Sequence, residues 1–289
     1  MTDWASRRWI VTGTSQGFGL AFVEQVLAAG GSVAAFSRSP QSLDALQKKA
    51  QDRLLSLAVD LTSEASIAAA VAIAEERFGG IDVLANNAGY GLLGGIEETT
   101  DAEARAIFDV NFFAPLALAR AVLPGMRIRR KGFIINLSSV SGVQGLPGSG
   151  LYAATKFALE GMTEALRREI REFDLQAMIV EPGPFRTGFM EISRHHTAQR
   201  INDYQVLAKR RATEQSMPDE VMQEPARGVA VIIRAMNADK PPERLPLGGW
   251  AARLCADRYR QRLEEACDWA GLAGEADRTA APEPDIAYE

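Results

Sequence analysis

Tyr152 and Lys156 are residues whose types and spacing suggest chemistry at once. They stand four positions apart in LYAATKFALEGMTEALRREI (151–170), a stretch with helical periodicity, so both side chains lie on one helix face. A free phenol has a pKa of about 10, too high for a base at neutral pH, and a neighbouring ammonium stabilises the phenolate. The pair is a candidate for proton exchange with a substrate oxygen, the plainer alternative being a Tyr and a Lys on a helix surface.

The stretch VTGTSQGFG (11–19) fits two different loops. Its middle matches the G-x-S-x-G elbow of α/β-hydrolases, with Ser15 as the nucleophile. That elbow needs an oxyanion amide from an earlier strand–helix loop, and only twelve residues precede Gly13. It also needs a base, whereas the two histidines, His195 and His196, fall in an irregular stretch. These points disfavour a serine hydrolase.

The same stretch predicts a phosphate-binding turn between a strand and a helix. Gly13 allows the tight turn, Gly17 lets the backbone approach a pyrophosphate, and Gly19 permits close packing of helix on strand. The helix that follows adds free N–H groups and partial positive charge at its N-terminus. The loop is therefore expected to receive a nucleotide cofactor.

Short apolar runs alternate with amphipathic stretches over the first two hundred residues. The runs predict strands at 8–13, 32–38, 54–60, 81–89, 132–139 and 175–183, and the stretches predict helices at 17–29, 40–50, 63–78, 101–130 and 151–173. Strands that are apolar nearly throughout indicate a parallel sheet covered on both faces. The expected fold is α/β, a single-domain doubly wound Rossmann fold whose ligand crevice lies at the carboxyl ends of the strands.

The pattern changes after residue 183. Residues 184–222 lack clean periodicity and are expected to cover the substrate, followed by a helix at 224–237 and a Pro-rich turn at 241–249. An apolar stripe that begins at Trp250 predicts a C-terminal helix, and the end of the chain has a disordered composition. The predicted organisation is a catalytic domain over 1–248 and a helix with a flexible tail over 249–289.

Composition excludes several classes of function. The chain has 289 residues and a net charge of −5, which gives no basic footprint for nucleic acid. No charge-free apolar run reaches about 18 residues, so no membrane span is predicted, and no secretory signal is recognised. Cys255 and Cys267 would lie about 18 Å apart on one helix, too far to bridge. We expect a reduced, cytoplasmic protein without a metal site.

Three motifs occur in an order that resembles the classical short-chain dehydrogenase/reductases: TGxxxGxG at 12–19, NNAG at 86–89 and YxxxK at 152–156. The resemblance covers residues 8 to about 190. NAGYGLLGGIEET (87–99) and VEPGPFRTGF (180–189) are similar to the branch with hydroxysteroid and retinol dehydrogenases and bacterial carbonyl reductases. The resemblance implies hydride transfer with a nicotinamide cofactor, and it implies that Tyr152 is the acid/base. Lys156 and the oxidised nicotinamide would together lower the pKa of Tyr152 by about 3 units.

Ser139 matches the family's catalytic serine, which holds and polarises the substrate carbonyl oxygen. Ser138 is the alternative and Ser141 a more remote one; because strand side chains alternate, only one of two adjacent serines should reach the site. Asn111 matches the family residue that props a helix and helps a water molecule connect Lys156 to solvent. A simple amide at a helix kink is its alternative role.

The resemblance also implies a set of cofactor contacts. Asp60 would bind near the adenine, although an Asp that caps the helix from residue 63 is a competing role. The segment 87–89 would lie beside the ribose, or serve only as a strand end of small residues. The full expected set is Gly13, Ser15, Gln16, Gly17, Phe18, Gly19, Ser37, Arg38, Asp60, Leu61, Asn87, Ala88, Gly89, Tyr152, Lys156, Pro182, Gly183, Phe185 and Thr187.

The end of the second strand favours NADP(H) over NAD(H). Enzymes that use NAD place a carboxylate there for the ribose 2′-hydroxyl, and this chain has Ser37 followed by Arg38. Serine and arginine can bind a 2′-phosphate, which a carboxylate would repel. Arg38 as a solvated loop charge, with either cofactor accepted, is the alternative.

The expected substrate pocket is apolar and has no fixed charge. Its residues are Tyr90, Leu92, Leu93, Val140, Gly145, Leu146, Phe189 and Met190. Arg194 and the two histidines are interpreted as exposed loop residues, and contact with the substrate is their alternative role. We therefore expect NADP(H)-dependent interconversion of a hydrophobic ketone or aldehyde and its alcohol, in a homodimer or homotetramer. The alternatives are an NAD-dependent secondary-alcohol or hydroxysteroid dehydrogenase and a catalytically silent nucleotide sensor.

Overall fold

The computed structural model describes residues 3–189, 194–198, 201–214 and 222–276. Its strands are β1 Arg8–Thr12, β2 Ser32–Ser37, β3 Leu54–Ala58, β4 Val83–Asn86, β5 Gly91–Leu93, β6 Phe133–Leu137, β7 Gln176–Pro182, β8 Arg194–His196 and β9 Arg244–Leu247. Its helices are α1 Gly17–Ala28, α2 Asp44–Ala50, α3 Glu64–Phe78, α4 Asp101–Phe108, α5 Ala114–Arg129, α6 Gly150–Ile170, α7 Gln205–Glu214, α8 Pro225–Met236 and α9 Gly249–Gly274.

The main sheet is parallel and doubly wound. Within the described ranges its order is β3-β2-β1-β4-β6-β7-β9, so the direction of winding reverses between β1 and β4. In such sheets the ligand crevice lies at the carboxyl ends of the strands on either side of the reversal. The glycine-rich turn follows β1 and the NNAG motif begins at the end of β4, so both motifs lie at this point. The predicted Rossmann fold is confirmed.

Helices cover both faces of the sheet because each strand buries alternate side chains on opposite sides. On one face Trp9 and Val11 pack in a core cluster with α1 and α8, to which Phe22 and Ile232 contribute. On the other face Ile10 packs in a cluster supplied by α3, α5 and the end of α6. These two layers hold the carboxyl ends of the strands in fixed positions.

The C-terminal part of the sheet corrects one prediction. The segment 241–249, expected to be a Pro-rich turn, contains β9, which pairs in parallel with β7 from Ile179↔Arg244 to Pro182↔Leu247. Pro246 is tolerated because β9 is the edge strand, where one side needs no backbone donor. The covering segment is also more regular than expected, since it contains α7 and β8, and β8 pairs in parallel with β5.

The predicted helix at 101–130 is divided by a π-helical turn at Asp109–Phe113. The range Asp101–Arg129 is long and apolar enough to cross a membrane by length and composition, with 39% of the apolar window buried. Such a composition is weak evidence, because core helices share it. Leu118, Val122 and Met126 of α5 are buried against the sheet, as in a core helix.

Candidate active site

The glycine-rich turn has the backbone geometry that a phosphate loop requires. Gly13 and Gly17 have φ of +69° and +58°, a region that glycine adopts at little cost. The Gly13 N–H donates to the Phe36 carbonyl at 2.8 Å, which places the end of β2 beside the loop. Gln16 precedes α1 without a side-chain cap, and the first turn of α1 has no acidic residue. The N-terminus of α1 therefore offers N–H groups to an anion, and the residues present fit the diphosphate of a dinucleotide.

Asn87 and Ala88 hold the turn from the neighbouring strand. The Thr12 hydroxyl accepts from the N–H groups of Asn87 and Ala88 at 3.0 and 2.9 Å. The Asn87 amide donates to the carbonyls of Thr12 and Gly13 at 2.8 and 3.1 Å. The Asn87 side chain thus supports the turn, as in the structural alternative, and a cofactor contact by Asn87 stays a prediction.

The segment around Thr187 lies against the glycine-rich turn. A Cβ placed on Gly17 would lie 2.8 Å from Thr187 Cβ, and one on Gly188 would lie 2.7 Å from Gln16 Nε2. Ser15 is exposed on the turn. Gly183 donates its N–H to the Leu247 carbonyl at 3.1 Å, so the turn at 182–183 is fixed by β9.

Phe18 and Phe185 occupy a different place from the one expected. Their rings pack together with centroids 4.8 Å apart, and both belong to the core cluster shared by α1 and α8. Gly228 makes room for them, because a Cβ there would lie 2.7 Å from Phe18 and 2.9 Å from Phe185. Any cofactor contact of these two residues would have to be made by their backbone.

The ends of β2 and β3 carry the residues predicted for the adenosine side. The Ser37 hydroxyl accepts from the Ser39 N–H at 3.1 Å, and Arg38 is exposed, with no ion pair to any residue that the structure describes. The Asp60 carboxylate accepts from the N–H and hydroxyl of Thr62 at 2.9 and 2.7 Å. Ser63 rather than Asp60 caps α3. Leu61 packs against the core.

Tyr152 lies at the start of α6 beside the loop that follows β6. Its hydroxyl shares a side-chain hydrogen bond with Ser139, whereas Ser138 donates to Glu160 at 2.5 Å. Strand alternation thus turns the adjacent serines apart, with Ser139 toward Tyr152. The ring of Phe189 lies 5.7 Å from the ring of Tyr152, centroid to centroid.

The pKa of Tyr152 differs from the sequence expectation. Burial raises it to about 12, against the opposing effects of the Ser139 hydrogen bond and the positive charge of Arg194. The Lys156 Nζ lies 5.8 Å from the ring centroid and donates to the Leu137 carbonyl at 2.7 Å. Tyr152 therefore keeps its proton at neutral pH, and the lowering expected from Lys156 together with the oxidised nicotinamide stays a prediction.

Lys156 and Asn111 lie next to the NNAG motif. Burial lowers the pKa of Lys156 to about 8. A Cβ on Gly89 would lie 3.0 Å from Asn111 Oδ1 and 3.7 Å from Lys156 Nζ. Asn111 lies in the π-helical turn and bridges the backbone of Tyr90, accepting at 3.0 Å and donating at 2.9 Å, while it also donates to Thr155 Oγ1 at 3.1 Å. Its amide thus fixes the kink, and the predicted water relay stays a prediction.

Several of the predicted substrate residues lie in or near the small sheet that β5 and β8 form. Leu92 and Leu93 are buried in β5, and the Tyr90 ring lies 4.9 Å from the His195 ring. Val140 and Leu146 are half-buried, and Gly145 is exposed. Met190 lies outside the described residues.

Two residues near the site, Arg194 and Trp250, have surroundings that the sequence interpretation did not favour. Arg194, which was interpreted as an exposed loop residue, is half-buried, and its Cγ lies 3.8 Å from a Cβ placed on Gly91. Its positive charge acts to lower the pKa of Tyr152. Trp250 of α9 lies 3.3 Å from a Cβ placed on Gly183 and borders an open groove of about 350 Å³ that also includes Gln144. Only the pairing of β8 with β5 brings Arg194 inward, and no sequence periodicity indicates that pairing.

The sequence is similar to known proteins over more than half of its length. The sequence profile described as short chain dehydrogenase matches residues 7–198. The chain belongs to the short-chain dehydrogenase family. This short-chain dehydrogenase is 39% identical over 182 residues to 3-ketodihydrosphingosine reductase of Bacteroides thetaiotaomicron, covering 63% of its own length and 65% of the reductase. It is 38% identical over 192 residues to retinol dehydrogenase 8 of Homo sapiens, and the match covers 64% of this chain and 61% of that protein. The chain thus spans less than two thirds of either relative.

Solved structures show the same fold. A short-chain dehydrogenase from Streptomyces avermitilis has a TM-score of 0.86 at 35% identity, over 93% of this chain and 99% of that one. Two more distant structures, from Burkholderia phymatum with NAD and Burkholderia cenocepacia with NADP, have TM-scores of 0.72 and 0.71 at 23% and 24% identity. The match to the Burkholderia phymatum structure covers 82% of this chain and 88% of that chain. The match to the Burkholderia cenocepacia structure covers 90% of this chain and 95% of that chain. Relatives of this chain are named oxidoreductases or dehydrogenases, among them oxidoreductase BOA17 of Botryotinia fuckeliana, to which it is 31% identical over 83% of this chain and 88% of that protein.

Proposed function

We propose that this short-chain dehydrogenase interconverts a hydrophobic ketone or aldehyde and its alcohol with NADP(H). The observation that carries the proposal is the hydrogen bond between Tyr152 and Ser139 at the crevice, with Lys156 on the same face of α6 and the Phe189 ring over Tyr152. The buried leucines of β5 add an apolar lining. The names of the two relatives refer to 3-ketodihydrosphingosine and retinol, which both have a long hydrocarbon part, and this supports a hydrophobic substrate.

A nicotinamide cofactor, when bound, supplies or accepts the hydride at the substrate carbon. In reduction, Tyr152 gives its hydroxyl proton to the carbonyl oxygen, and Ser139 donates a hydrogen bond to that oxygen. The raised pKa of Tyr152 suits this direction, because the phenol is protonated at neutral pH. In oxidation, Tyr152 must lose its proton, and the charges of Arg194 and Lys156 favour the phenolate.

The proposal is tested with a panel of long-chain and cyclic ketones and their alcohols. Turnover is followed by absorbance of the reduced nicotinamide, with NADPH and NADH in parallel, and kcat/KM values are compared. Preference for apolar ketones with NADPH is the expected result. A preference for NADH would leave the family assignment intact and overturn the cofactor proposal.

Arg38→Gln tests the cofactor proposal at one side chain. A charge-assisted hydrogen bond to a phosphate contributes about 1.5–3 kcal/mol, so we expect kcat/KM with NADPH to fall by about tenfold or more. The value with NADH should change by less than about twofold, because NADH has no 2′-phosphate. Lys48→Gln, an equal charge change on exposed α2, is the matched control. Equal losses with both cofactors would contradict the assignment of Arg38.

Arg194→Gln tests the cation that faces Tyr152. Its positive charge lowers the pKa of Tyr152, so removing the charge should raise that pKa and delay formation of the phenolate. For alcohol oxidation we expect the acid limb of kcat/KM to move to higher pH by about half a unit, since Arg194 is partly screened by solvent. Arg194→Lys keeps the charge and should keep the wild-type limb. An unchanged limb in Arg194→Gln would show that the guanidinium does not act on the phenol.

A further inference from the structure

A buried carboxyl group lies one helical turn beyond Lys156. Glu160 is 5% exposed and follows Lys156 by four residues, so the two side chains share one face of α6. Ser138 donates to Glu160 Oε1 at 2.5 Å. The chain at Gly142 packs directly on the carboxyl group, since a Cβ there would stand 1.9 Å from Oε1. Glu160 is thus held between the catalytic helix and the loop after β6.

A second buried carboxyl group belongs to the same cluster. Glu181 of β7 is fully buried, and Arg244 Nε of β9 lies 3.6 Å from a carboxyl oxygen of both Glu160 and Glu181. From α9, Tyr259 donates to Glu181 Oε1 at 3.1 Å, and the Cys255 thiol also hydrogen-bonds to Glu181. Glu181 Oε2 has no hydrogen-bond partner among the described residues.

The cluster has more acid than base. Arg244 also pairs with Glu164 at 2.8 Å and with Glu243 at 3.0 Å, so four carboxyl groups share one guanidinium. Burial and the negative charge of Glu181 together raise the pKa of Glu160 to about 7, against the opposing effects of the Ser138 and Arg244 hydrogen bonds. Burial likewise raises the pKa of Glu181. The protonation state of Glu160 is therefore expected to change near neutral pH.

The charge of Glu160 acts on the buried ammonium of Lys156. Burial lowers the pKa of Lys156, and the negative charge of Glu160 raises it again. A charged Lys156 is what the proposed reaction uses to stabilise the developing phenolate. An ionised Glu160 therefore extends the pH range over which Lys156 keeps its proton.

We propose that Glu160 is a positioning residue for the reaction, which acts through Lys156 by keeping its ammonium group charged inside the site. Glu160 is linked to the edge strand β9 through its ion pair with Arg244. Arg244 also pairs with Glu181, which accepts a hydrogen bond from Tyr259 of the C-terminal helix α9. The inference rests on the proposed function, because it assigns Lys156 a role in turnover.

Glu160→Gln tests the inference through the pH profile of ketone reduction with NADPH. Without the carboxylate, Lys156 loses its proton at lower pH, so the alkaline limb of kcat/KM should move down by about one unit. Glu169→Gln, the same charge change on an exposed position of α6, should keep the wild-type limb. If the alkaline limb of kcat/KM lay at the same pH in Glu160→Gln and Glu169→Gln, the inference would be overturned.

Two further measurements keep the inference testable if Glu160→Gln does not fold. Ser138→Ala removes the donor that favours the Glu160 carboxylate, so its alkaline limb should move in the same direction by a smaller amount, and an unmoved limb would count against the inference. The second measurement is thermal unfolding as a function of pH. A carboxyl group whose folded pKa is raised binds protons preferentially in the folded state, so stability should fall as pH rises from about 4.5 to about 7.

The fall in unfolding temperature should be smaller in Glu160→Gln than in Glu169→Gln, and equal falls would oppose the titration of Glu160. This readout needs no substrate. If the wild type reduces no ketone with either cofactor, the proposed function fails and the inference fails with it, while the unfolding data still report on the cluster. If the wild type is active and the alkaline limbs of kcat/KM coincide in Glu160→Gln and Glu169→Gln, only the inference fails.

Discussion

Tyr152→Phe is expected to lower kcat for ketone reduction by a factor of about 10³, close to 4 kcal/mol of transition-state stabilisation. The variant keeps the ring that packs beside Phe189 and loses only the hydroxyl that bonds to Ser139. Without that hydroxyl the carbonyl oxygen loses its proposed proton donor, while Lys156 keeps its hydrogen bond to the Leu137 carbonyl. Single-turnover reduction with NADPH measures the loss.

The matched control is Tyr204→Phe, which removes an exposed hydroxyl bonded to Glu97. It should keep wild-type kcat, and both variants should bind NADPH with a Kd within about threefold of the wild type. Turnover by Tyr152→Phe near the wild-type rate would remove Tyr152 from the acid/base role. Loss of NADPH binding in Tyr152→Phe would instead indicate damage to the site.

The parallel sheet could be predicted from the sequence because each of its main strands is encoded by a local run of apolar residues. Apolar runs such as RWIVT and FIINL need burial on both faces, and only a covered parallel sheet provides it. The strand β9 could not be predicted, because RLPL is short, contains a proline and gains its stability from pairing with β7. The pairing of β5 with β8 joins segments about a hundred residues apart, and no local pattern encodes it.

The candidate site divides in the same way. The positions of Gly13, Ser139 and Tyr152 at one crevice follow from motif order and strand alternation, although their roles stay predictions. The protonation state of Tyr152 does not follow from the sequence, since its raised pKa comes from burial in the folded protein. Nor does the sequence indicate that Glu160 and Glu181 meet, because the contact depends on β9 and α9 closing over them. Location in the cytoplasm and assembly into oligomers stay predictions.

Gly19→Ala is expected to have the largest effect on stability. Gly19 is buried in the first turn of α1, and a Cβ there would stand 2.1 Å from the Gly13 carbonyl oxygen and 2.8 Å from Asn87 Nδ2. The obstacle is backbone that is itself fixed by β2, so α1 must move away from β1. Overpacking of this kind costs about 3 kcal/mol, which lowers the unfolding temperature by about 6–12 °C.

The same displacement opens the phosphate turn, so NADPH affinity should fall by about tenfold or more, as measured by fluorescence titration. Gly161→Ala is the matched control, because it makes the same change inside α6, where no atom lies within 4 Å of the added Cβ. It should stabilise the protein by up to about 1 kcal/mol through helix propensity and leave NADPH affinity unchanged. If Gly19→Ala were as stable as Gly161→Ala and bound NADPH equally well, close packing of α1 on β1 would not be what shapes the cofactor turn.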